Sequence, residues 1–407
     1  MEIRKCFLRV LIGTLTCLFL LIMYNSVNII EMTDRSRCNI TSHEESLTQC
    51  HLNTTRSKLQ TVTRDSYTEL TRKYSTRSRT FRILWYNPPS LLRDHQKEIL
   101  HTGFENCKYS NCNMSFDRND AVASQAIIFD GRHMPKNISF TRPNGQIWIF
   151  MAQESPLIYG VFGNWWYKNK QYIFNWTMTY DKDNTDIFLP YGEILKHQTE
   201  VKRDFKSIAL NKTKTLLMIA SHCQTHSKRQ EYVKELQKYV DVEVLGRCGK
   251  RWKCGVHFRH NENCFQLLNT SYKFYLAFKN ALCHQYFTEK FYDNFNYDLI
   301  MLTRGGSTGD ARRLFPEGTY ISTDDFKSIK ELGAFLKNLS VDRYADLLRR
   351  KSQFYSPGYM KVYERAMCDI CERMNFVDKY TKTIKNIKEW AFVTQPCLKS
   401  NEVADIQ

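Results

Sequence analysis

The chain has 407 residues, of which 42% are apolar and 14% aromatic, enough for two domains with their own cores and too apolar for a disordered chain. Fifty-nine basic against 42 acidic residues leave a formal charge of +17, which favours an anionic partner such as nucleic acid, a membrane surface or a nucleotide sugar. No zinc-finger, homeodomain or RNA-recognition signature accompanies that charge, so nucleic acid is not expected as the partner.

Residues 1–9 carry Arg4, Lys5 and Arg9 ahead of an apolar segment at 10–30. Its unbroken core is shorter than the roughly 20 residues of a usual span. Phe7, Leu8 and residues 27–30 extend it, and Met23-Tyr24-Asn25-Ser26-Val27 lacks the small residues of a cleavage site. It reads as an uncleaved signal anchor, with 1–9 as a cytosolic tail and the rest of the chain lumenal, a type II arrangement. Sequons at Asn39, Asn53, Asn113, Asn137, Asn175, Asn211, Asn269 and Asn338 agree with a lumenal location. Fourteen cysteines, all but Cys6 and Cys17 beyond the anchor, fit an oxidising compartment. Residues 31–80, rich in Ser, Thr and charge, read as a stem.

A first lobe at 81–195 opens on a β-rich run, 81–86, that Asn87-Pro88-Pro89 stops. Runs at 121–129 and 146–151 predict buried strands of an α/β sheet. Glu154 follows the second of these in a Pro-stiffened loop, where a carboxylate can take a proton from an attacking hydroxyl. Pairing with a nearby base is its plainer role. Asp181, Asp183 and Asp186 read as solvated loop charges rather than a metal site. Residues 196–213 form a charged linker with few core candidates.

The second lobe, 214–350, begins as a βαβ unit. A strand at 215–220 is followed by a helix with Tyr232, Val233, Leu236, Tyr239 and Val240 on one face, then a strand at 242–245. No glycine-rich dinucleotide fingerprint or Walker motif is present. A strand at 274–278 runs into Lys279-Asn280, Tyr286 to Lys290 opens a predicted helix, and a strand at 299–302 ends in Arg304-Gly305-Gly306. Arg229 and Lys290 sit at the N-terminal edges of predicted helices, opposing the dipole, and a bound anion would relieve that cost. Tyr286 fits either ligand contact or core packing. Residues 322–325 supply capping side chains for a helix at 326–336. The last part, 351–407, reads as helices and a tail. Its Cys368-Asp369-Ile370-Cys371 favours a structural disulfide over zinc or redox chemistry, for want of a second metal pair or a thioredoxin-like context. Cys107 and Cys112 read likewise, with connectivity left open.

Taken together, RPNGQIWIFMAQESP, FNWTMTYDKDNTDIFLPYG, the KTLLMIASHC strand with Arg229, KFYLAFKN, YFTEKFYDN and the late CDIC resemble, in order, the landmarks of α1,3-fucosyltransferases. The resemblance implies a GT-B fold: two Rossmann-like lobes facing a cleft, behind a transmembrane anchor and stem. It also implies an inverting transfer of fucose from GDP-fucose to N-acetylglucosamine of an N-glycan or other acceptor, on the Golgi membrane. Glu154 would be the base. Arg229 and Lys290 would face the diphosphate, while Asn280, Tyr286 and Glu289 would contact guanosine or fucose. Trp165 and Trp166 are candidate acceptor platforms, with core packing the equal alternative. No cofactor or resident metal is implied, although Mn or Mg can stimulate by screening phosphate charge. Lys279, Ala281, His222, Asp181 and Met301 stand where the family usually has Glu, Ser, Asn, Arg and Pro. Lys279 and Asp181 motivate an alternative, a catalytically degenerate relative that binds glycan or protein in the Golgi.

Overall fold

The structure, a computed structural model, describes residues 79–90, 92, 103–162, 172–251, 262–307 and 309–401. The expected tail, anchor and stem up to residue 78, together with Asn39, Asn53, Trp165 and Trp166, lie outside them. Among the described residues no helix is long and apolar enough to cross a membrane.

The first lobe is a parallel six-stranded sheet: β1 (Phe81–Trp85), β2 (Cys112–Ser115), β3 (Ala126–Asp130), β4 (Ile147–Ala152), β5 (Trp176–Thr179) and β6 (Ile187–Phe188), in the order β2-β1-β3-β4-β5-β6. Every residue of β3 and β4 is buried, as expected of central strands covered on both faces. The strand expected at 121–129 starts only at Ala126. Residues before it form a turn tied down by Gln146, whose Nε2 donates to the carbonyls of Ala121 and Ser124.

A short strand, β7 (Leu195–Lys196), leads out of this lobe. The linker is less bare than its charge predicts, because α2 (Phe205–Leu210) buries Phe205 and Ala209; we number as α1 the helix Pro156–Phe162 of the first lobe. The second sheet is also parallel. It contains β8 (Lys214–Ile219), β9 (Val242–Leu245), β10 (Tyr272–Leu276), β12 (Ile300–Thr303) and β13 (Tyr320–Ser322), ordered β13-β12-β10-β8-β9. β11 (Leu282–Cys283) lies in the loop after β10. Helix α3 (Arg229–Leu236) completes the βαβ unit, followed by α4 (Glu262–Thr270), α5 (Glu289–Tyr292) and α6 (Asp310–Leu314). Next come α7 (Ile329–Asn338) and α8 (Val341–Lys351). Ser328, not residues 322–325, caps α7 by accepting from the Glu331 amide, whereas Ser322 caps a separate 3-10 turn. The two sheets are the two Rossmann-like lobes of a GT-B fold.

After β14 (Phe354–Tyr355), the chain returns to the first lobe as α9 (Tyr359–Asn375). Tyr363, Met367, Ile370 and Met374 pack with Ile83, Trp85, Ile128, Ile149 and Met178 in one core. Trp85 donates its indole N–H to the Tyr363 hydroxyl at 2.9 Å. On the opposite sheet face Phe129, Trp148, Phe150 and Phe174 meet Ala391 from α10 (Ile387–Thr394). The CxxC cysteines do not bond each other. Cys368 joins Cys107 and Cys371 joins Cys112, with Cα separations of 5.2 and 5.9 Å. Three residues apart on a helix, the two thiols share a face, and that face is turned toward the sheet. Asn113, Asn137, Asn211 and Asn338 are exposed, and Asn269 is half-buried. Asn175 is not a free acceptor in the fold: its Oδ1 accepts from the Trp148 amide and Arg142, and its Nδ2 donates to the Lys382 carbonyl.

Candidate active site

Parallel strands deliver the residues that follow them to one sheet edge. Asp130 ends β3 opposite Met151 of β4, and Glu154 lies just beyond β4. The turn after β3, Gly131–His133, is built by its neighbours. Asp130 Oδ1 accepts from the Arg132 amide, and Asn87 holds both the Asp130 amide and its carbonyl. A Cβ on Gly131 would stand 2.4 Å from the Phe150 ring, so glycine lets the turn pack directly on β4. Arg132 thereby reaches Glu154, with Nη1 to Oε1 at 3.1 Å. The other oxygen, Oε2, accepts from the Tyr286 hydroxyl at 2.7 Å. That bond spans the two lobes.

Tyr286 is 1% exposed and sits against Tyr180 and Tyr191. Burial and the Glu154 charge push its phenol well above the ordinary value, so it stays protonated and donates. Its loop is held from several sides. Gln285 has φ +50°, a strained value for a residue with a side chain. Its amide donates to Asp310, its Oε1 accepts from the Lys182 amide, and its Nε2 donates to Asp183. Cys283 is bonded to Cys397 of β15 (Cys397–Leu398), which pairs antiparallel with β11. A Cβ on Gly306 would fall 2.0 Å from the Cys283 carbonyl oxygen, so the second Gly of Arg304-Gly305-Gly306 permits backbone-to-backbone approach.

At the carboxyl end of β10 several polar atoms are buried without a hydrogen-bond partner: Arg229 Nε, Lys279 Nζ, Asn280 Oδ1 and Thr288 Oγ1. Lys279 is 2% exposed, lies 4.0 Å from the Phe287 ring centroid, and is pulled down to about 7 by burial, against Asp310 and Asp324, which raise it. Lys279 is therefore a buried side chain packed on Phe287 rather than an exposed one. Arg229 starts α3 but turns inward, donating to the carbonyls of His222 and Phe278 at 2.8 Å each. Lys290 pairs with Glu289 on α5, a helix of only four residues whose dipole is correspondingly slight. Glu289 acts electrostatically on Arg229, Tyr275 and Tyr286, which places the second-lobe candidates around one centre. Trp165 and Trp166 lie outside the described residues.

Of the three aspartates Asp183 is exposed, as a solvated loop charge should be, whereas Asp181 is buried and Asp186 half-buried. Asp181 is fully buried and accepts from Asn184 at 2.9 Å and from the Asp183 amide at 3.1 Å. Burial raises its pKa, partly offset by the Asn184 bond. Asp186 accepts from the Thr177 amide and hydroxyl at 2.9 Å and pairs with Lys382. Oxygens of Asp181 and Asp183 and a nitrogen of His284 lie within 4.8 Å of one another, spacing that a cation can bridge. Protein donors already occupy this cluster. Asp183 pairs with Arg313 at 2.8 Å and accepts from Gln285 at 2.7 Å, while His284 Nδ1 lies 3.0 Å from Asp310. It works as a polar seam between the lobes. Arg132, Tyr180, Tyr191 and the Cys283–Cys397 bond escape sequence reading, since each is a lone residue whose meaning depends on a distant partner.

Residues 78–192 match the family model described as Fucosyltransferase, N-terminal, and residues 209–390 match Glycosyltransferase family 10 (fucosyltransferase) C-term. Alpha-(1,3)-fucosyltransferase C of Drosophila melanogaster is 30% identical over 331 residues, covering 75% of this chain and 72% of that protein. Glycoprotein 3-alpha-L-fucosyltransferase A of the same fly is 32% identical over 243 residues, 58% of this chain and 46% of that one. Human alpha-(1,3)-fucosyltransferase 7 is 25% identical over 314 residues, 76% and 85% of the two chains. Among solved structures, a crystal structure of alpha1,3-fucosyltransferase aligns with TM-score 0.47 and 16% identity over 74% of this chain and 91% of that one.

Proposed function

The chain belongs to glycosyltransferase family 10, the fucosyltransferases, and is a glycosyltransferase; from that premise we propose that it transfers fucose from GDP-β-L-fucose to N-acetylglucosamine of lumenal glycans in an α1,3 linkage. The reading rests on one observation above all. A carboxylate, Glu154, stands at the carboxyl edge of the first sheet, where the second lobe meets it through Tyr286 at 2.7 Å. Beside that meeting point lie the unpartnered polar atoms of Lys279, Asn280, Thr288 and Arg229, as a site for a polar donor requires.

In the proposed reaction the acceptor O3 attacks C1 of fucose as the bond from C1 to the diphosphate oxygen breaks, inverting C1. Glu154 takes the acceptor's proton as general base, and GDP leaves as the anion. Lys290 and the Arg229 edge of α3 favour that developing charge. Asn280, Tyr286 and Glu289 select the nucleotide and sugar. No cation is required for this chemistry, with Mn or Mg acting only as a stimulant, so transfer in excess EDTA is expected to stay within about fivefold of its untreated rate. Loss of transfer on chelation, restored by Mn, would refute that. We place the protein on the Golgi membrane as a type II glycoprotein with its catalytic part lumenal, in keeping with its four described disulfides.

The full chain in detergent, given GDP-fucose and an array of N-glycan cores, antennae and glycolipids, tests the proposal. Glu154→Gln is expected to cut transfer by about 100-fold or more, within the range for a lost general base, while GDP still binds. An unchanged rate removes Glu154 from the mechanism.

A further inference from the structure

We infer that Arg132 is the positioning residue of the proposed base, holding one carboxylate oxygen of Glu154 so that the other is presented to the acceptor hydroxyl. The inference rests on the assignment of Glu154 made above. Its geometric basis is independent of any ligand. β3 and β4 are adjacent and parallel, so the residues beyond them emerge side by side at the same edge. The turn Gly131–His133 is set by the Asp130 cap, the Asn87 clamp and the close approach that Gly131 allows against Phe150. Arg132 is thus delivered by a rigid device, and its Nη1 lies 3.1 Å from Glu154 Oε1.

The two oxygens of Glu154 then have different duties. Oε1 accepts from a guanidinium, a planar donor with its N–H groups in a fixed fork. Oε2 carries the Tyr286 hydroxyl at 2.7 Å, and a hydroxyl donating to that oxygen is what an acceptor sugar would present. Tyr286 therefore marks the place of the acceptor O–H in the ligand-free protein and has to yield, or share the oxygen through its second lone pair, when acceptor enters. A carboxylate free to rotate would offer either oxygen at several angles. One pinned by Arg132 offers a single direction, and catalytic geometry is lost quickly with displacement. His133, which faces Asp130 at 2.9 Å, supports the turn from its other side.

The test compares the full-length parent with Arg132→Gln and Arg132→Lys, measuring kcat, KM for GDP-fucose, KM for acceptor and GDP affinity by calorimetry. Arg132→Gln is expected to lower kcat about 30-fold, leaving KM for GDP-fucose and GDP affinity within twofold. Arg132→Lys, which keeps a cation on a shorter reach, is expected to recover part of that loss. Unchanged kcat in both variants overturns the inference. So does a raised KM for GDP-fucose at constant kcat, which would make Arg132 a donor contact. If Arg132→Gln does not fold, Arg132→Lys decides alone, since full activity in it denies a need for the guanidinium. A parent inactive with every acceptor defeats the proposed function instead. Crystal structures of parent and Arg132→Gln still judge the inference in that case: Glu154 should leave its place beside Tyr286 in the variant, and an unmoved carboxylate rejects it.

Discussion

Lys279 is the residue whose surroundings most alter what its type suggests. Its ammonium has no hydrogen-bond partner, lies over Phe287, and faces Asp310, Asp324 and Arg304 at longer range. A buried cation of this kind costs stability unless something pairs with it. Burial takes it down to about 7, against roughly 10.4 in an unfolded chain. Between those values the unfolded chain binds the extra proton, so this group's contribution to stability rises with pH. Lys212 and Lys351, pulled to about 8 and about 7, act in the same sense. Comparing Lys279→Met with the parent isolates the one residue. The variant is expected to be more stable at pH 7, by about 1–3 kcal/mol on the scale of replaced buried ions, and to lose part of the gain in Tm that the parent shows from pH 7 to pH 9. A less stable variant at pH 7 would mean that Asp310 and Asp324 already compensate the charge.

At the scale of elements, what could be read in advance was what repeats locally. The strands β1, β4, β8, β9 and β12 announce themselves as apolar runs with breakers at their ends, and α3 by its spacing. The sequence puts the start of α7 too early because Ser322 and Ser328 are equally good caps, and only packing of Ile329 and Leu332 decides between them. The burial of Asp181 is not legible because charge in a loop ordinarily means water, and part of its compensation comes from the distant His284 as well as from Asn184 in its own loop. The pairing of β11 with β15 joins segments 114 residues apart, and no local pattern encodes it. That pairing carries a prediction. Cys397→Ser is expected to cost roughly 2–4 kcal/mol, the usual range for a native disulfide, and to raise KM for GDP-fucose because the loop bearing Gln285 and Tyr286 loses its anchor. Thermal unfolding and steady-state kinetics measure the two effects, and a changed Tm with unchanged KM would separate the anchor from the site.

Across the molecule, the division into two lobes was legible and the ownership of the C-terminal segment was not. Residues 351–407 read only as helices and a tail, assigned to neither lobe. In the fold α9 and α10 cover opposite faces of the first sheet, so that lobe is made from both ends of the folded chain. Among the described residues the chain passes between the lobes three times, after β6, after β14 and after α10, where β15 pairs with β11, and the Glu154–Tyr286 bond crosses from one lobe to the other. This ties the orientation of the base to the registration of the lobes. Arg132, with no periodic or motif signal of its own, becomes meaningful only once β3 and β4 are seen to end side by side.

The crossing disulfides have a consequence for how the protein is made. Cys107 and Cys112 are synthesised early, yet their partners follow 261 and 259 residues later. Throughout that interval the first sheet lacks the helix that covers Ile83, Trp85 and Ile149, and it carries two thiols with nothing native to join. At roughly 5–20 residues per second, the wait lasts tens of seconds at most, long beside the folding of a small domain. A chain stopped before α9 would therefore present an open core and two sulfurs without their native partners.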